Sequence, residues 1–177
     1  YIDFSQGALE RTDNQLNLAL EGDGFFVVQT DAGIRYTRNG NFSTSPQGIL
    51  TDNNGNPVLS DSGPLTISGN DVVIATDGTV SVDGAGVGTL KIADFDKPYR
   101  LTKAENSYFA PVDETVAERA AQDVRLMQGY LEKSNVNVID VMVDMLVSFR
   151  AYEAGQKAIR VQDETLDKAI NDLGRVT

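Results

Sequence analysis

The sequence predicts a mainly β protein: an irregular antiparallel β-barrel or sandwich body carrying one long C-terminal α-helix. Three observations predict it. Residues 16–111 break into short β-prone runs separated by turn residues, at spacings of roughly 8–12 residues. Val138–Leu173 contains no proline and a single interior glycine, Gly155. Within that stretch apolar residues return at alternating steps of three and four, which places them on one face of a helix.

Taken in order, residues 1–15 are a lead-in segment. The chain starts at Tyr1 rather than at a methionine, and the expectation is a fragment whose N-terminal helix lies upstream. Residues 16–112 form the β-rich body. Leu16–Leu20 alternates apolar and polar residues, Glu21-Gly22-Asp23-Gly24 supplies a turn, and Phe25–Gln29 reads as a buried strand. Asp31-Ala32-Gly33 is a hairpin loop leading into Ile34–Thr37, and Asn39-Gly40 is a strong turn dipeptide before Phe42. Similar punctuation recurs at Gly48, Gly55, Gly63, Gly78 and Gly84. Residues 113–133 are expected to be a linker and return strand, weakly patterned until apolar character resumes at Val124.

Residues 134–177 are the helix, with a capping segment Ser134, Asn135 and Asn137. Asn137 is the natural N-cap, because its side chain can accept a first-turn N–H. Asp140 then sits favourably against the helix dipole, and Gly174 is the expected C-terminal stop. The seam is Met142, Met145, Phe149, Tyr152, Ile159, Leu166, Ile170 and Leu173, with Gln156 and Asp163 as polar breaks on its heptad positions. At about 1.5 Å per residue such a helix spans roughly 54 Å. The β body offers no second long helix to pair with, so the seam is expected to be an assembly interface whose partner helix lies outside this sequence. Polar residues at seam positions serve register and partner choice rather than stability.

Composition narrows the chemistry. A net charge of −11, from 26 acids against 15 bases without a basic cluster, argues against a nucleic-acid surface. There is no cysteine and no histidine, which removes thiolate sites, disulfides, the commonest metal ligand and the commonest general base. No apolar run reaches the roughly 18 residues of a membrane-crossing helix, and no signal segment opens the chain. Asp52, Asn54 and Asn56 alternate as in a calcium loop, but Pro57 stands where that loop needs glycine and Gly63 where it needs glutamate. A polar β-turn is the better reading. No catalytic, metal, cofactor or small-molecule site is expected.

Several motifs in a fixed order then resemble one family. They are Ser5–Leu9 and Thr12–Leu20, Gly22–Val28, Tyr36–Phe42, Asp77–Val80, Gly129–Asn137 and Arg150–Ala154. Together they are similar to the rod and hook axial proteins of the bacterial flagellar basal body. The ending Asn171–Val176 is most like the proximal rod (FlgF-type) branch, with the distal rod (FlgG-type) branch close behind. The resemblance implies a β-rich domain carried on paired terminal helices, packed into an axial tube that transmits torque. It implies other rod and hook subunits as partners, in homo- and hetero-oligomeric assembly. It also implies residence in the basal body, within the periplasm and envelope, after export without a cleaved signal. The alternative is an extracellular β-sandwich that binds a ligand or carbohydrate, on a helical stalk. Tyr36, Phe42, Tyr99, Tyr108 and Phe109 would be its only aromatic platform.

Overall fold

A computed structural model describes residues 2–113 and 115–173, with backbone alone for Val138 and 167–173. The chain falls into two units, Tyr1–Asn135 and Val136–Thr177. Among the described residues the first is all β apart from one short 3-10 turn, and the second is a single helix.

The largest sheet of the first unit has six antiparallel strands in the order Leu101–Lys103, Phe109–Pro111, Gly33–Thr37, Phe25–Thr30, Ile92–Asp94 and Arg119–Ala120. It curls into a half-barrel. Phe25–Thr30 is its central strand, and its run of unbroken apolar residues follows from burial on both faces. Phe26 and Val28 point into one core with Leu18, Leu20, Phe42, Leu50 and Val80. Phe25 and Val27 point into the other with Tyr36, Ala93 and Phe95. A three-stranded sheet, Val72–Ile74, Thr79–Val82 and Ala85–Thr89, closes the first core. Turn glycines allow these reversals. Gly22 and Gly24 both take positive φ between Leu18–Glu21 and Phe25–Thr30, where a Cβ would be strained.

Within 113–133, expected as a linker and return strand, the linker part at 113–122 is in part built into the main sheet. Arg119–Ala120 is an edge strand of the main sheet, Arg125–Gln128 pairs with Leu18–Glu21, and Tyr130–Glu132 pairs with Leu9–Arg11. Val116 packs on the second core. The physical reason is charge pairing at long range. Arg119 bridges Asp94 at 2.8 Å and Asp96 at 2.7 Å, and Glu118 accepts the Tyr36 hydroxyl at 2.6 Å and pairs with Lys91 at 2.7 Å. The lead-in segment is likewise built into the body, through Leu9–Arg11 and the ring of Phe4.

Candidate assembly interface

The helix Val138–Leu173 is 36 residues long. Asn137 Oδ1 accepts the N–H of Ile139 at 3.0 Å, and its carbonyl accepts the N–H of Val141 at 3.2 Å. That is N-cap geometry, followed by Asp140 in the first turn. Asn135 does different work: its Nδ2 donates to Ser5 O and Ser5 Oγ, both at 3.0 Å. Gly174 lies outside the described residues.

Met142, Met145, Phe149, Tyr152, Ile159 and Leu166 are all exposed, Met145 at 72% and Phe149 at 57%. Gln156 and Asp163 are exposed too. Gln156 Nε2 donates to Tyr152 Oη at 3.1 Å, one turn apart along the seam. Ile170 and Leu173 continue the helix in backbone, but their side chains lie outside the described residues. Among the described residues the second unit contains one helix and no other element, and none of them covers these side chains.

The structure adds apolar residues that the seam omits. Ile139, Val141, Val143, Leu146 and Val147 are exposed as well. Through the first three turns the only polar residues are Asp140, Asp144 and Ser148, at steps of four. The helix there is apolar almost all round, a pattern stable only inside a larger packing. Farther on, Ala151, Ala154, Ala158, Val161 and Thr165 form a second line of small side chains away from the seam. That line is itself a heptad set, at alternating steps of three and four, offset from the large residues of the seam.

The polar loop and the aromatic rings singled out in the body are engaged within it. Asp52 is buried and closes a turn, with Oδ1 accepting the N–H of Asn54 and of Asn56, each at 2.9 Å. Its Oδ2 accepts the Tyr108 hydroxyl, which in turn accepts from Asn54 and Asn56 Nδ2. Burial, then Asp52, pushes the Tyr108 phenol up. Tyr36 and Phe42 are also buried, and Tyr99 and Phe109 pack with Phe4 around Phe25. The five rings named for a sugar platform are thus spent on packing. Among the described residues no group of three or more acids could hold a metal, and no helix is long and apolar enough to cross a membrane.

Comparison with known proteins bears on the two regions separately. A family model described as flagellar hook protein FlgE/F/G D1 domain matches residues 19–82. Another, flagellar basal body rod FlgEFG protein C-terminal, matches residues 127–173, from the last body strands through the helix. The flagellar basal-body rod protein FlgF of Salmonella typhimurium is 36% identical over 181 residues, covering 94% of this chain and 72% of that protein. This chain belongs to the flagellar basal-body rod protein family. FlgG of Buchnera aphidicola from Schizaphis graminum is 35% identical, covering 93% of this chain and 68% of its own length. FlgF of Caulobacter vibrioides is 34% identical, with 98% and 71% covered. Rod-family relatives therefore align through body and helix alike.

Proposed function

We propose that this chain is a structural subunit of the flagellar rod, held in an axial tube by its C-terminal helix and transmitting torque through packing rather than chemistry. The observation that carries the reading is a rod-family helix of 36 residues whose large apolar side chains are exposed. Burying one such side chain contributes on the order of 1.5–3 kcal/mol, so a row of them drives association. In this reading the seam from Met142 to Leu173 meets helices of other rod and hook subunits, or an upstream helix of the same protein. The apolar girdle around residues 139–149 is enclosed on several sides, and Gln156 and Asp163 fix register. Assembly places the subunit in the basal body within the periplasm, after export without a cleaved signal.

Phe149→Asp tests it. A charge at the centre of a packed helix seam is costly, so the variant should fail to enter rods in cells. β-sheet circular dichroism of the purified chain should stay unchanged. Normal rods and normal swimming with this substitution would sink the seam as the interface.

A further inference from the structure

The two ends of the β body lie side by side. Leu9–Arg11 pairs with Tyr130–Glu132, and the Lys133 N–H donates to Ala8 O at 2.9 Å. Contact is so close at Gly7 that a Cβ there would stand 1.8 Å from the Lys133 carbonyl oxygen. One carboxylate ties this junction to the rest of the body. Glu132, with a side chain only 9% exposed, accepts the Gly7 N–H at Oε1 (2.9 Å) and Arg38 Nε at Oε2 (3.0 Å). From Arg38, Nη1 donates to the carbonyls of Gly22 at 2.8 Å and Gly24 at 2.7 Å. Those glycines form the turn that feeds the central strand Phe25–Thr30. Gln6 adds a parallel stitch, donating to Leu20 O at 2.9 Å and accepting the Gly22 N–H at 3.3 Å.

A largely buried ion pair is a poor device for stability, because desolvation consumes most of what the attraction supplies; its best-attested use is to fix one geometry over others. Glu132 suits that use, since its two oxygens bind different parts of the chain. We propose that Glu132 is a positioning residue that locks the first and last segments of the body to each other and, through Arg38, to the central strand. Load arriving at either end then enters the same sheet. The load assignment rests on the rod reading above, whereas the lock itself does not.

Amide hydrogen exchange on the full 177-residue chain tests the lock with two variants. Glu132→Gln keeps the size but turns one acceptor into a donor, so it can serve Gly7 or Arg38 and not both. Gly7→Ala leaves both charges in place and forces the two backbones apart. Each should raise exchange at residue 7 and at Lys133 by roughly tenfold, about the loss of one charge-assisted hydrogen bond. Exchange at Val27 and Val28 should not move. A uniform rise across the body in both variants would reduce Glu132 to an ordinary stabilising contact and overturn the proposal, as would no change at either end. In cells, Glu132→Gln should make swimming speed fall more steeply with medium viscosity than in the parent. Equal slopes beside the expected rise in exchange at residue 7 and Lys133 would overturn the load assignment alone. A strain that swims normally without this chain would instead sink the rod reading and leave the exchange result standing.

Discussion

The body and the helix use the same residue types in opposite ways. In the body, Leu18, Leu20, Phe26, Val28 and Phe42 are almost wholly withdrawn from solvent, while in the helix Met145, Leu146, Val147 and Phe149 are mostly exposed. One region has satisfied its apolar surface internally; the other still carries its own as unused association energy. What separates them is topology. Antiparallel strands brought together from across residues 9–132 cover both faces of Phe25–Thr30. A single helix has no such recourse, and most helical stability in proteins comes from packing.

Deleting Val138–Thr177 should have the largest effect. If the body is self-sufficient, residues 1–137 should remain soluble and melt cooperatively at nearly the temperature of the whole chain, while incorporation into rods is abolished. Thermal circular dichroism and electron microscopy of basal bodies read the two halves. Loss of the cooperative melt would mean that the helix belongs to the core.

A matched pair of truncations tests the same contrast. Phe26 is fully buried and meets Phe42 edge-to-face at 5.0 Å between ring centroids. Phe26→Ala should therefore cost about 3–5 kcal/mol. Phe149→Ala should leave the melting temperature of the purified chain within a degree or so, because no packing is lost. Equal costs at the two positions, measured by urea denaturation, would erase the distinction.

The body's polar interior supplies a smaller test. Tyr108→Phe strands the buried Asp52 carboxylate and the amides of Asn54 and Asn56, and should cost about 1–3 kcal/mol. The same chemistry sets a pH dependence. Burial, then a nearby carboxylate, holds the phenols of Tyr36, Tyr99 and Tyr108 above the ordinary value of 10.0, the carboxylates being Glu118, Asp94 and Asp52. A raised folded-state pKa means that the proton is bound more tightly when folded. The contribution is complete below pH 10.0 and is lost as pH rises towards the folded-state values. Phenolate absorbance should show late-titrating tyrosines that shift to the ordinary range in urea, with one fewer of them in Tyr108→Phe. An unchanged titration curve in Tyr108→Phe beyond the loss of one ordinary phenol would mean that this hydroxyl is not held as described.

Local features of this fold were legible in the sequence, and pairings were not. Phe25–Gln29 read as a buried strand because its apolar run is bounded by turn glycines, and the structure extends it by one residue to Thr30. The start of the helix at Val138 followed from Asn137, and its continuity to Leu173, the last described residue, from the absence of proline. Residues 113–122 read as a linker because nothing within them is periodic; their partners Tyr36, Lys91, Asp94 and Asp96 lie 23–82 positions away. Glu132 lies within the Gly129–Asn137 motif, but nothing in the sequence marked it as a junction, since an isolated acid near a strand end resembles surface charge. The seam is visible as a heptad, whereas the girdle at Ile139, Val141, Val143, Leu146 and Val147 lies around several faces and so follows no single helical period.

The smallest expected effect lies at the start of the helix. Asn137→Ala removes the acceptor of the Ile139 N–H and should lower helix stability by about 1 kcal/mol, with no change in the melt of the body. Asn137→Asp should restore the cap and add a favourable charge at the positive end of the dipole. The clean measurement is ellipticity at 222 nm of a peptide covering residues 134–173, where no sheet contributes. Most helical stability in proteins comes from packing, so in the peptide a deficit of that size is visible as lost helicity, whereas in assembled rods packing would mask it. If the alanine peptide were as helical as the parent, the Asn137 bond would be incidental. The helix would then start at Val138 only because the chain before it is committed to the body.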